Sequence, residues 1–182
     1  MKLILEEKCL EAGVRIRLHT RVSDAIKNQS GEISHIVTSS KSGYEAWTAK
    51  CFIDATGDGD LGFLAGASYE IGNKDTGLTQ PMSLLAVVTG IELEKIKDYV
   101  LGYASWQDGS AALAEILTKE GAKPSYGHPS LFRMSEKLFF LMANHQYKKS
   151  GTSADDLTDA TISARQEIHR QIAALRRHGG AW

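Results

Sequence analysis

The residues with the clearest chemical pattern are Gly57-Asp58-Gly59-Asp60-Leu61-Gly62, a G-x-G-x-x-G string inside residues 52–66, FIDATGDGDLGFLAG. Glycines at that spacing turn a chain tightly after a strand and bring backbone N–H groups up to a phosphate. The chemistry needs more parts. A strand must precede the loop, a helix long enough to cross back over the sheet must follow, and an acidic residue about 20 residues on must hold a ribose. Residues 51–55 read as the strand. The helix expected from about Asp60 stops at Gly66, and Asp75, at roughly the right distance, lies in a polar loop. Asp58 and Asp60 would also set two carboxylates beside a pyrophosphate, where backbone amides should be the only charge. The letters spell a dinucleotide loop without its supporting elements.

Other chemistries are weaker still. Asp54, Asp58, Gly59 and Asp60 imitate positions 1, 5, 6 and 7 of an EF-hand loop, but position 12 is Ala65 rather than Glu, and the flank is a strand. The histidines are His19, His35, His128, His145, His169 and His178. No two of them flank a Glu at helical spacing and no cysteine cluster joins them, so the sequence indicates no metal site. Cys9 and Cys51 have no C-x-x-C partner and read as small buried apolar residues. The nucleophile elbow G-x-S-x-G is missing, which argues against a serine hydrolase.

Composition bounds the rest. The 182 residues are 42% hydrophobic and 24% charged, with a formal net charge of −1. That is ordinary for one globular domain or parts of two. It gives no field to draw nucleic acid or anionic lipid. The longest apolar runs, residues 83–88 and 138–143, are too short to span a bilayer. Residues 1–5 run straight into Glu6 and Glu7, which is not an export-signal pattern, so a cytoplasmic location is the default expectation.

The elements that must position these residues follow from periodicity. A helix is expected over residues 2–12, with Leu3, Cys9 and Leu10 near one face and Gly13 closing it. Residues 14–18 alternate as a half-buried strand, and residues 22–26 continue extended. Ile33, Ile36 and Val37 mark the next strand, residues 39–43 a polar turn, and residues 44–50 lead into the strand at 51–55. After a loop at 73–77, residues 82–88 read as a strand apolar on both faces. Leu93, Ile96, Val100 and Tyr103 fall at helical spacing, and a second helix runs from 111 to 119, ended by Gly121. Residues 131–134 and 138–143 read as paired strands. The last helix puts Leu157, Thr161, Ala164, Ile168, Ile172 and Leu175 on one face. Asp155, Asp156 and Asp159 sit at its positive end, and Arg176, Arg177 and His178 at its negative end.

Read in order, several segments resemble one family. Residues 53–61, Ile-Asp-Ala-Thr-Gly-Asp-Gly-Asp-Leu, followed by Ala65-Gly66-Ala67, look like the second glycine motif of FAD-dependent oxidoreductases of the glutathione-reductase type. Glu11-Ala12-Gly13-Val14 with Thr20-Arg21-Val22 resembles the segment where such proteins set a valine backbone beside the adenine. The antiparallel excursion at 33–47 is similar to the small sheet inserted between those motifs. Thr79-Gln80-Pro81-Met82, and Asp155-Asp156-Leu157-Thr158 with Arg165, resemble the substrate-side region of a bacterial group distantly like the flavoprotein subunits of succinate dehydrogenase and fumarate reductase.

The resemblance implies a mixed α/β chain. Residues 1–75 would form a partial Rossmann-like FAD-binding domain lacking its first βαβ phosphate loop, and residues 76–182 an α+β substrate-side region. It implies FAD and a small-molecule substrate, with association to the remainder of a flavoenzyme or self-association. Val22, Ala55, Thr56, Gly57, Asp58 and Asp60 become the expected cofactor-side residues, with Asp60 capping the short helix. In a flavoenzyme His128 or His145 could take a proton while hydride goes to the flavin; the ordinary alternative is a hydrogen-bonded loop histidine. The hydride-transfer residues themselves are not identified. The reading from another class is a non-catalytic module for scaffolding or partner contact.

Overall fold

A computed structural model describes residues 1–180 and Trp182. Contacts divide the chain into two units, Met1–Glu70 and Ile71–Trp182. No described helix is long and apolar enough to cross a membrane.

The first unit opens with α1 (Lys2–Glu11). Its end is tied by the Gly13 and Val14 amides, which donate to the Leu10 and Cys9 carbonyls. A sheet follows in the order β1-β2-β3, from β1 (Arg21–Lys27), β2 (Ile33–Ser40) and β3 (Gly43–Trp47), all antiparallel. Local chemistry sets both turns. The Asn28 side chain accepts from the Ser30 and Glu32 amides, and Lys41-Ser42 alone separates the paired residues Ser40 and Gly43. The sheet's best-covered position is Thr38, whose hydroxyl accepts from the Trp47 indole at 2.8 Å. The short helix α2 (Asp60–Leu64) lies against β1 and buries Leu61.

Three expectations change here. Residues 14–18 and 51–55 are not strands, and no segment of this unit pairs with either. A strand is made by a neighbour that takes its N–H and C=O groups, and apolar alternation does not supply one. Cys51 is therefore exposed and Cys9 only half-buried, not core residues. The apolar residues of α1 also stay outside: none of the helix is buried, and Leu3, Ile4, Leu5 and Leu10 are all exposed.

The second unit holds the core. Its sheet, β4-β6-β5, combines β4 (Ala86–Thr89), β5 (Ser130–Arg133) and β6 (Leu138–Met142), again antiparallel. Between β4 and β5 lie α3 (Leu93–Ile96), a 3-10 turn at Lys97–Tyr99, and α4 (Trp106–Lys119). The helix α5 (Ala154–His178) ends the unit. Ile96, Val100, Leu113, Leu117, Leu131, Phe139, Leu141 and Leu175 form one buried cluster, with α4 packed on β5 and α5. The pairing of residues 131–134 with 138–143 is as expected.

Boundaries moved for identifiable reasons. The helix α4 starts at Trp106 rather than 111, because the Ser105 hydroxyl accepts from the Asp108 amide and so sets the first turn earlier. The strand β4 starts at 86 rather than 82. The buried Asn144 side chain occupies both backbone groups of Leu84, donating to its carbonyl at 2.7 Å and accepting from its amide at 3.2 Å. No ladder forms until Ala86, and β4 then half-buries one face only, leaving Val87 61% exposed. The helical spacing from 93 to 103 breaks after the 3-10 turn, so Val100 leaves the helix and bridges to Leu131.

The helix α5 is rotated from the expected face. Its buried stripe is Ala160, Ala164, Glu167, Gln171, Ala174 and Leu175, while Leu157 is 42% exposed. Two polar side chains in that stripe find partners inside, which apolar periodicity alone does not anticipate.

Candidate functional site

The glycine string sits on a turn built around Asp54. One carboxylate oxygen, Oδ1, accepts from the Thr56 amide at 3.0 Å and from the Thr56 hydroxyl at 2.7 Å. The other, Oδ2, accepts from the Gly62 amide at 2.9 Å. The Thr56 hydroxyl in turn accepts from the Asp60 amide at 2.8 Å. A residue two before the turn thus satisfies both ends of it and the first turn of α2.

This corrects the expectation for Asp60. It is the first residue of α2, but its side chain caps nothing; Gly59 is the N-cap position, and Thr56 and Asp54 take the helix amides instead. Gly57 and Gly59 have φ of +89° and +74°, a conformation costly to residues with a Cβ. A Cβ at either would meet nothing within 4 Å, so this backbone faces open space.

The Gly57, Asp58 and Gly59 amides donate to nothing among the described residues. Ala55, Thr56, Gly57 and Asp58 are exposed and Asp60 is half-buried. The turn therefore offers N–H donors beside two carboxylates: it can donate to a neutral acceptor or a hydroxyl, and repels a dianion. Val22 lies half-buried on β1, the strand α2 packs on, opposite Thr38 and beside a break in register.

Hydrogen bonds from the Gly62 amide, then from the Thr56 hydroxyl and amide, hold the Asp54 carboxyl below its ordinary 3.8. A group depressed in the folded state stabilises above its unfolded value and loses that contribution as pH falls through the folded one. The Asp60 and Gly62 amide shifts are therefore expected to stay constant from pH 7 down to about 5 and to move together only below 3.8. NMR titration of those two amides checks this; movement centred near neutral pH would exclude Asp54 as the anchor.

In the second unit, side chains converge on Glu167 of α5. This buried carboxylate accepts from the Ser125 amide and hydroxyl, both at 2.8 Å, and from Gln171 Nε2 at 3.0 Å. Gln171 Nε2 also donates to the Ala143 carbonyl at 2.9 Å, and its Oε1 has no partner among the described residues. The Ser125 hydroxyl accepts from the His145 amide at 2.9 Å. The His145 ring stacks on Tyr126 with centroids 4.0 Å apart, and its Nδ1 is 3.2 Å from the Tyr147 hydroxyl.

Burial pushes the His145 imidazole below its ordinary 6.5, with the Glu167 charge opposing that shift. His128 differs: it is exposed, makes only ring contacts to Trp106 and Tyr126, and its side chain makes no hydrogen bond among the described residues. Glu167 and Gln171 escaped the sequence reading. The signal was present, since 160, 164, 167, 171 and 174 repeat at helical spacing.

The other segments singled out in this unit are structural in their contacts. Thr79 donates to the Lys149 carbonyl, and Met82 and Gln146 exchange backbone bonds. The Ser150 amide, then the Lys149 ammonium, hold Asp156 below its ordinary value. Arg165 is exposed and unpaired among the described residues.

A family model described as FAD dependent oxidoreductase matches residues 1–181. No curated protein and no solved structure matches the chain.

Proposed function

The chain belongs to the FAD-dependent oxidoreductase family, and from that premise we propose that it serves hydride transfer between a small organic substrate and flavin. FAD is the family's cofactor, and when bound it supplies a two-electron acceptor for hydride.

The observation that carries the reading is the Asp54-held turn, with three adjacent amides free to donate and no side chain in front of two of its glycines. Those residues fit the hydroxyl-bearing and ring parts of the cofactor. They do not fit its pyrophosphate, because Asp58 and Asp60 share the turn. In this reading Ala55, Thr56 and Gly57 give the close backbone approach and Val22 takes the adenine side. The first unit is then part of a Rossmann-like flavin domain of the glutathione-reductase type, and the second is its substrate side. Ala55-Thr56-Gly57-Asp58 is the sequence support for that subtype.

The exposed apolar residues of the first unit support a further polypeptide in the functional assembly. Leu3, Ile4, Leu5, Leu10, Leu18, Ile53 and Phe63 are all exposed, and Leu61 is its one buried hydrophobic residue among the described residues. So much apolar surface marks an interaction face. We assign it to the remainder of a flavoenzyme, with a second copy of the chain as the competing occupant.

The test is flavin retention. The purified chain is expected to keep little FAD by itself, and to gain visible flavin absorbance when a polypeptide carrying a pyrophosphate loop is added. Stoichiometric flavin on the isolated chain would refute the need for that partner. A stable chain that stays flavin-blind with every partner would favour the non-catalytic module.

A further inference from the structure

Independently of the flavin reading, we propose that the first unit carries a binding site for a small monocarboxylate with an apolar body. The site is a cleft of about 330 Å³ lined by Arg15, Arg17, Thr20, Ile36, Thr38 and Trp47. All six belong to the unit Met1–Glu70, so the cleft is formed within it. Ile36 and Thr38 lie two apart on β2, and Trp47 of β3 is paired with Ile36, so the three share one face of the sheet. Arg15, Arg17 and Thr20 come from the segment between α1 and β1 and make the other wall. The volume is at the lower end of small-molecule sites, which span roughly 300–1,000 Å³.

Charge selects the ligand's head. Arg17 is ion-paired to Glu45, and its guanidinium carbon lies 5.0 Å from the centre of the Trp47 ring. Arg15 makes no ion pair and no side-chain hydrogen bond among the described residues. Two guanidiniums and the Glu45 carboxylate leave the cleft a single positive charge. A monoanion neutralises it, whereas a dianion would bring a second negative charge up to Glu45. The hydroxyls are already engaged. Thr38 accepts from the Trp47 indole at 2.8 Å and donates to the Glu45 carbonyl, and Thr20 donates to the Leu18 carbonyl. Arg15 is thus the unengaged charged donor, and its planar fork matches a carboxylate through two parallel bonds. Packing selects the ligand's body. Ile36 and Trp47 are half-buried, and the indole is held by its bond to Thr38, so the wall beside the guanidiniums is fixed carbon surface. The Asp54-held turn repels anions; this cleft, on the same unit, attracts one.

The test follows the Trp47 indole N–H by NMR while phenylacetate is added to the purified chain. The signal is expected to shift and saturate at about millimolar concentration, as suits so small a ligand. Phenylacetamide, which keeps the shape without the charge, is expected to bind about tenfold more weakly. Arg15→Gln should weaken phenylacetate by about the same factor and leave phenylacetamide unchanged, with the free Trp47 signal in place to show that the sheet is intact. Glu45→Gln, which frees Arg17, should tighten phenylacetate binding. No shift with phenylacetate, equal binding of phenylacetamide, or indifference to Arg15→Gln overturns the proposal. So does inorganic phosphate that binds as well as phenylacetate, since the apolar wall would then contribute nothing. Displacement of phenylacetate by AMP would also overturn it and assign the cleft to the cofactor. Flavin retention is measured separately, so either reading can fail without the other.

Discussion

Replacing Asp54 with alanine is expected to weaken flavin retention on the order of tenfold or more, while the unfolding of the second unit stays as it was. One carboxylate ties together the Thr56 amide, the Thr56 hydroxyl and the Gly62 amide. Without it the Thr56 hydroxyl loses the partner that aims its oxygen at the Asp60 amide. Three bonds around the turn go with one side chain, and the positive-φ glycines keep only the bond from the Phe63 amide to the Gly59 carbonyl. The donors at 57–59 then cost ordering entropy to present. Asp54→Asn should fall between, since an amide oxygen can still accept from Thr56 while its NH₂ faces the Gly62 N–H as donor against donor. Fluorescence titration of FAD into the wild-type and variant proteins, each with the polypeptide that carries the pyrophosphate loop, decides the matter. Equal affinity in Asp54→Ala would remove this turn from the cofactor's surroundings.

The second large effect concerns Glu167. Truncation to alanine is expected to destabilise the second unit by about 2–4 kcal/mol, read as a lower urea midpoint at an unchanged m-value. The carboxylate is buried and accepts from three donors. Ser125 is exposed and can turn to water, whereas Gln171 is fully buried and cannot. The penalty therefore falls mainly on the Gln171 amide and on the cavity the side chain leaves. Ser125→Ala should cost clearly less, about 1 kcal/mol, because Glu167 keeps the Ser125 amide and Gln171. A Glu167→Ala variant within about 0.5 kcal/mol of wild type would mean that water replaces the carboxylate freely.

Much of the second unit was legible in its residues. The β5–β6 pairing follows from two neighbouring apolar runs, and the span of α5 from its apolar period and charges placed against the dipole. The face of α5 was not, because Leu157 and Ile168 looked like the interior while Glu167 and Gln171 occupy it. Their burial depends on Ser125 and Ala143, which are distant in sequence and bring the required donors and acceptors. The start of β4 was hidden for the same reason: Asn144 is sixty residues from the backbone it replaces as a partner. In the first unit the meander was readable and the strands at 14–18 and 51–55 were not, since pairing is a property of two segments. The glycine string was visible at once. Its anchor, Asp54, passed as part of a strand because a lone aspartate announces a capping role only when the turn after it is seen.

The polar pair on α5 also fixes where that helix can sit along its neighbours. Alanines at 160, 164 and 174 make a smooth inner surface, over which a helix of 25 residues could slide by a turn at little cost in apolar contact. Glu167 and Gln171 remove that freedom. Displaced by 5.4 Å, the length of one turn, they would leave Ser125 and Ala143 behind and carry a charge into an apolar layer. Even the unpartnered Gln171 oxygen fits this account: both groups its NH₂ meets are acceptors, so the amide has one orientation only. The pair works as a detent, and what it specifies is the register of the longest helix against the segment that carries His145.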